Sequence, residues 1–202
     1  MRERILDAAE QVFAQNGFAG ATIRDIAAVA KTQVGLVHHH GGGKEALFRQ
    51  TVRRRAEELG EARQIALAEA KAAGALALPD ILRAFFGPYL LLAETGPQWR
   101  AYARLVAYVS TDPRWRDLAA ECFDPTAQMF LNEIATCLPG RARGQIAAGF
   151  VFAVSAMLAC VTASWRVSAL SAAPEPSAAD QLEFMVNYCA AGFLAVPDAS
   201  RS

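Results

Sequence analysis

Residues 22–40 read T-I-R-D-I-A-A-V-A-K-T-Q-V-G-L-V-H-H-H. Thr22 followed three residues on by Asp25 has the spacing of a capping box, with Asp in place of the usual Glu or Gln. It opens a short helix that buries Ile23, Ile26, Ala27 and Ala30. Lys31 and Thr32 make a tight connection to another short helix over residues 33–39. Two helices joined this closely form a helix-turn-helix, whose second helix enters the DNA major groove while the first crosses the backbone. The residue types suit that task. Gln33 brings an amide that reads adenine, Val34 and Leu36 bring methyl surface for thymine, and Gly35 keeps bulk away from the bases. Thr22 and Lys44 each open a helix, where free amides, the helix dipole and, at 44, a cation hold phosphates. Arg24, in the first turn of the supporting helix, reaches a guanine edge or a phosphate.

Upstream, residues 2–16 place Ile5, Leu6, Ala9, Val12 and Phe13 on one helical face, Gly17 stops the helix, and Phe18 turns inward. Downstream, Gly41, Gly42 and Gly43 break the chain before a long helix over residues 44–72. Beyond Gly74, breaks at Pro79, Gly96-Pro97, Asp112-Pro113, Pro139-Gly140 and residues 171–177 divide the chain into five more helices, with Asp112 as a cap. Apolar spacing of three and four, much alanine and no convincing strand make the fold all-α. The expected organisation is a DNA-binding head over residues 1–48 and a body over 49–202 that senses a ligand and dimerises.

The 202 residues, 53% of them apolar and 20% charged, suffice for a sizeable core and exclude a disordered chain or a disulfide mini-scaffold. The formal net charge of zero hides a split: residues 1–55 hold nine Lys and Arg against five acids, and the remainder is correspondingly acidic. A basic first quarter fits a polyanion-binding module carrying a larger body. Cys122, Cys137, Cys160 and Cys189 lie far apart in apolar contexts, which predicts buried thiols in a cytoplasmic protein. His38, His39 and His40 are consecutive and point about 100° apart on a helix, so they cannot converge on a metal. No cofactor is expected. The uncharged run over residues 144–165 is long enough to cross a bilayer. Its Ala, Ser, Thr, Gly and Cys content, its flanking arginines and the amphipathic helix after it favour a helix buried against a partner subunit. Phe150, Val154, Met157 and Val161, with Leu182, Val186, Cys189 and Phe193 of the last helix, are the candidate dimer face.

The stretch R-E-R-I-L-D-A-A-E-Q-V-F-A-Q-N-G-F-A-G-A-T-I-R-D-I-A-A-V-A (residues 2–30), followed by Gly35, His40 and G-K-E-A-L-F (residues 43–48), resembles the DNA-binding domain of the TetR family of bacterial transcriptional regulators. The resemblance implies a homodimeric repressor that binds a double-stranded operator through Thr22, Arg24, Gln33, Val34, Leu36, His38, His39 and Lys44, and is released by a small molecule. Departures from the family pattern cluster in the second half of the motif. Lys31, Thr32 and Gln33 stand where the family has Gly-Val-Ser, so Thr32 or Gln33 must cap the recognition helix. His38 holds the place of a phosphate-binding tyrosine; with His39 it is expected to bind DNA better when protonated. Gly41 replaces an anchoring aromatic, and losing a buried Phe costs ~3 to 5 kcal/mol; with three glycines in a row, this predicts a loosely held recognition helix.

Other motifs are weaker. Gly41–Lys44 fails the phosphate-loop pattern at His38 and Glu45, Gly17–Gly20 serves as a helix stop, and Arg53, Arg54 and Arg55 read as a solvated face rather than a nucleic-acid contact. No catalytic constellation is present. In the body, Phe86, Tyr89, Leu90, Trp99, Tyr102, Tyr108, Phe123, Phe130 and Trp165 are candidates for a pocket taking a hydrophobic or aromatic effector, with Gly87-Pro88 expected to kink its helix and make room beside Tyr89. A membrane-tethered or structural helical adaptor is the alternative, although no membrane partner is expected.

Overall fold

The computed structural model describes residues 1–195, and among these every regular element is helical. The head consists of α1 (Arg2–Gly20), α2 (Ile23–Val29) and α3 (Val34–Gly41). α1 changes course at Gly17, whose φ of 65° only glycine adopts freely; the chain then turns once more before Ala21. From the head runs α4 (Lys44–Ala72), a 29-residue rod roughly 44 Å long at 1.5 Å per residue.

The body follows as α5 (Leu78–Thr95), α6 (Pro97–Thr111), a 3₁₀ turn (Pro113–Trp115), α7 (Arg116–Cys137), α8 (Arg143–Thr162), α9 (Ser164–Ser171) and α10 (Ala178–Ala195). Prolines and their neighbours set these starts as expected. Asp80 accepts from the Ala77 N–H ahead of α5, and Asp112 accepts from the Arg114 N–H over the 3₁₀ turn. The expectation of five helices beyond Gly74 fails at one place: the uncharged run does not form a single helix. β-branched Val161 and Thr162 lead into Ser164, a stretch of low helix propensity, and the chain breaks at Ala163 (φ −135°, ψ 16°) to begin α9.

α5 lies at the centre, packed against α4, α6, α7, α8 and α10. α8 is long and apolar enough to span a membrane, and here it packs on α5, α6, α7 and α10. Head and body share one core. α1 lies along both α4 and α6, and Trp115 of the body enters the head between Phe18 and Phe48, with ring centroids 4.9 and 4.5 Å away.

Candidate nucleic-acid interface

The supporting helix is capped from both sides: the Thr22 hydroxyl accepts from the Asp25 N–H at 3.1 Å, and the Asp25 carboxylate accepts from the Thr22 N–H at 3.0 Å. Three buried side chains, Ile26, Ala27 and Val37, fix α2 and α3 against α1. This orientation leaves Thr22, Arg24, Gln33, Val34, Gly35, Leu36, His38 and His39 exposed together, with Lys44 half-buried beside them. Val34 and Leu36 are 39% and 38% exposed, high for branched apolar side chains on so short a helix. A Cβ on Gly35 would meet nothing within 4 Å, so this face has open space in front of it.

The altered turn is held by means the sequence did not disclose. Lys31 takes a left-handed φ of 49°, a conformation suited to the glycine it replaces, and Arg4 of α1 donates to the Ala30 and Lys31 carbonyls at 2.7 and 3.3 Å. Gln33 occupies the N-cap position, yet neither it nor Thr32 makes the side-chain cap bond expected of them. The Gln33 carbonyl receives the Leu36 and Val37 N–H groups. Its longer side chain does not form the short cap loop that Ser or Thr makes.

The expected vacancy at Gly41 is absent. Helix α3 continues through His40 to Gly41, ends in left-handed Gly42 (φ 71°), and Leu47 has moved against the glycine: a Cβ there would lie 3.2 Å from both Leu47 Cβ and Cδ1. Gln50 of α4 donates to the Gly41 carbonyl at 3.1 Å and accepts from Arg2, tying the end of α3 to α1 and α4. Lys44 donates to the Ala19 carbonyl at 3.1 Å and lies 4.7 Å from the Phe18 ring centroid.

Arg53, Arg54 and Arg55 are not a solvated face. Arg53 pairs with Glu121 of α7, Arg54 reaches Glu3, Asp7 and Glu10 at 2.8–2.9 Å, and Arg55 joins Glu10 and Glu58 while lying over Trp99. Glu10 is fully buried, and burial pushes its carboxyl above the ordinary value despite Arg55 and Arg54. These arginines are fasteners between α1, α4 and the body.

The body candidates divide. Phe86, Tyr89, Leu90, Tyr102 and Phe130 are buried; Trp99 and Phe123 are half-buried; Tyr108 and Trp165 are exposed and line an outer groove of about 590 Å³ between α6, α8 and α9. No room is made beside Tyr89. α5 runs through Pro88 as a continuous helix, and the Tyr89 hydroxyl donates to the Ala103 carbonyl at 2.9 Å. Sequence reading missed Arg63. It stands on the buried stripe Val52, Ala56, Leu59, Arg63, Leu67, so a cation at an apolar spacing was the available signal.

The candidate dimer residues also turn inward. Phe150, Met157, Leu182, Val186, Cys189 and Phe193 are buried within the subunit, while Val154 and Val161 are half-buried. The outward stripe of the same helices carries Val151 and Phe152 on α8 and Phe184 and Tyr188 on α10, with Phe152 and Phe184 72% and 73% exposed. A helix apolar on both faces gives no periodic signal to tell the two stripes apart.

A helix-turn-helix with an exposed second helix, joined by one long helix to an all-α body, is the architecture of a DNA-binding regulator. Residues 5–51 match the family model described as bacterial regulatory proteins, tetR family, and residues 83–192 match the tetracyclin repressor-like C-terminal domain. The chain belongs to the TetR family of transcriptional regulators, DNA-binding factors rather than enzymes. Over 60 residues it is 37% identical to the HTH-type transcriptional repressor AcnR of Corynebacterium efficiens, a match that covers 30% of this chain and about a third (32%) of the relative. Two solved structures show the fold over nearly the whole chain. The first, assigned to the TetR family, from Shewanella sp. PV-4, has a TM-score of 0.67 at 19% identity and covers 95% of both chains. The multidrug binding protein EbrR complexed with malachite green has a TM-score of 0.61 at 19% identity, covering 94% of this chain and 97% of that one.

Proposed function

We propose that the protein is a homodimeric repressor that binds a near-palindromic operator through two copies of α3 and is released by a small apolar effector. The observation that carries this reading is the open face of α3, on which Val34, Gly35 and Leu36 stand exposed without protein partners, flanked by Arg24, Lys31, His38 and Lys44. Thr22, Arg24, His38, His39 and Lys44 serve as phosphate or base-edge contacts, and Gln33 as a base reader. The head, residues 1–48, is one functional unit and residues 49–202 the other.

Dimerisation fits the outward stripe of α8 and α10. Beside it lies a groove of about 630 Å³ whose lining includes Gly149, Ala153, Ala156 and Gly192, small residues among which large side chains of a second copy can seat. Exposed Phe152 and Phe184 are the natural anchors. A two-fold dimer of this kind sets half-sites roughly 34 Å or a little more apart. An effector that prefers a different head spacing lowers operator affinity by its differential affinity for the two shapes. That EbrR was solved with malachite green, an aromatic cation, supports the aromatic side of a hydrophobic or aromatic effector class but not its charge, and a cytoplasmic location follows from an operator as target.

The test is binding of the purified protein to DNA from upstream of its own gene across a salt series, with its mass in solution recorded. Tight, sequence-selective binding by a dimer that weakens steeply with salt is the expected result. Monomeric mass, or sequence-indifferent binding at every salt concentration, would refute it.

A further inference from the structure

One cation occupies the apolar stripe of α4. Arg63 is only 6% exposed, and among the described residues no carboxylate pairs with it. Its Nε donates to the Phe85 carbonyl at 2.9 Å, its Nη2 approaches the Met157 sulfur at 3.4 Å, and its guanidinium lies 3.8 Å from the Phe85 ring centroid. Burial lowers its pKa to about 10, which leaves it charged at neutral pH. A carbonyl, a thioether and a ring face are weak compensation for a buried charge, which ordinarily needs an anion and a full set of hydrogen bonds. A second deficit lies close by. Tyr102, 1% exposed, has a buried hydroxyl with no hydrogen-bond partner, and Arg63 is among the charges that act on it. The weakly compensated cation sits in an apolar setting: the Phe85 ring it lies over meets Phe86, Phe130 and Phe150 at centroid distances of 5.9, 5.0 and 4.9 Å.

We propose that the effector is an apolar monocarboxylic acid, its carboxylate bound by Arg63 and the Tyr102 hydroxyl and its hydrocarbon or aromatic part lodged among the phenylalanines of α5, α7 and α8. The proposal rests on the effector-responsive reading above and gives it a ligand class. One guanidinium and one free hydroxyl match one carboxylate; a second negative charge would be buried unpaired, and a cationic ligand would face Arg63 directly. The ligand enters by displacing side chains, because the shell is closed around the guanidinium. Met157, with three rotatable bonds, is the adaptable member. A groove of about 640 Å³ lined by Ala62, Ala66, Gly87 and Pro88 opens along α4 and α5, the helices that carry Arg63 and Phe85. The competing role for Arg63 is a strut that pins α4 to the Phe85 carbonyl near Pro88.

The experiment is thermal unfolding and operator release of the full chain with decanoate and 3-phenylpropanoate, against decanol and 3-phenylpropanol, in the parent, Arg63→Met and Tyr102→Phe. The acids should raise the parent's Tm while the alcohols do not. Arg63→Met should keep the ligand-free Tm and lose the response to acids, whereas a strut would lower the ligand-free Tm. Tyr102→Phe should weaken acid binding about tenfold, the loss of one hydrogen bond to a charged group. Equal shifts from acids and alcohols, or a fall in ligand-free Tm in Arg63→Met with the acid preference intact, overturn the proposal. If Arg63→Met does not fold, undiminished acid binding by Tyr102→Phe overturns it. Operator release by the alcohols or by malachite green without release by the acids refutes the acid site and leaves the effector reading standing. Acid-dependent Tm shifts without any operator release uphold the site and refute its regulatory role.

Discussion

At Lys31 the chain accepts a left-handed φ of 49° without the glycine that would make it free, and Arg4 holds the turn by its carbonyls. A non-glycine residue in that conformation costs on the order of 1 kcal/mol, so Lys31→Gly should raise stability by about that amount in denaturant titration. An unchanged midpoint would mean that Arg4 already offsets the strain. Gly41 presents the opposite case. Its missing side chain leaves no hole, because Leu47 fills the space, so Gly41→Phe should lower stability by roughly 1–3 kcal/mol through overpacking rather than tighten the recognition helix. Glu10 yields a pH signature. Its carboxyl titrates above the ordinary value because of burial, so the folded state holds the proton more strongly than the unfolded chain does. A raised carboxyl pKa adds stability that is present at acid pH and lost as pH rises through the folded value. Arg54 keeps Glu3 and Asp7, and Arg55 keeps Glu58, when Glu10 is neutral. Glu10→Gln should therefore lie within about 1 kcal/mol of the parent at pH 7, and the parent should gain on the variant as pH falls toward 5. A gap that moves the other way would show that the arginines, not burial, govern Glu10.

At the scale of elements, local rules decided what the sequence could disclose. The capping box at Thr22, the glycine break within α1 and the 29 residues of α4 were all legible, because caps and apolar spacing act within a few residues. The exposed face of α3 was legible for the same reason: Val34, Gly35 and Leu36 stand away from the apolar face that buries Val37. What stayed hidden depends on partners distant in sequence. Nothing in the spacing around Gly41 announces that Gln50 will donate to its carbonyl or that Leu47 will fill its place, and nothing near residues 53–55 announces Glu121, Glu3 or Glu10. In α8 and α10 the two apolar stripes could not be ranked, since the subunit's own core claimed the one expected for the partner. Gln50 also lends the recognition element a testable tether. Gln50→Ala removes the bond to the Gly41 carbonyl and the link to Arg2, so the amides at the C-terminal end of α3 should exchange faster while those of α5 hold their protection. Equal exchange in parent and variant would assign the anchoring of α3 to Leu47 and Val37 alone.

Across the whole molecule, the head is fastened to the body at three kinds of joint: the α1–α6 and α1–α4 packing, the pairs of Arg54 with Glu3, Asp7 and Glu10, and the insertion of Trp115 between Phe18 and Phe48. The last bears most directly on signalling, because Trp115 sits in the short turn between α6 and α7, two helices that also pack on each other and on α8. A displacement of α6 or α7 in the body therefore reaches the head's aromatic core through the Trp115 ring and reaches α4 through the Arg53–Glu121 and Lys71–Glu133 pairs. Such a route requires that head and body exchange free energy, so that one does not open without weakening the other. Trp115→Ala tests that requirement. The substitution should cost ~3 to 5 kcal/mol, as truncation of a buried aromatic does, and the loss should fall unevenly. Amides of α1, α2 and α3 should lose hydrogen-exchange protection well before those of α5 and α8, splitting a single unfolding transition into two. A uniform loss of protection over both parts would show that Trp115 contributes only bulk burial, and that coupling between body and head runs along α4 instead.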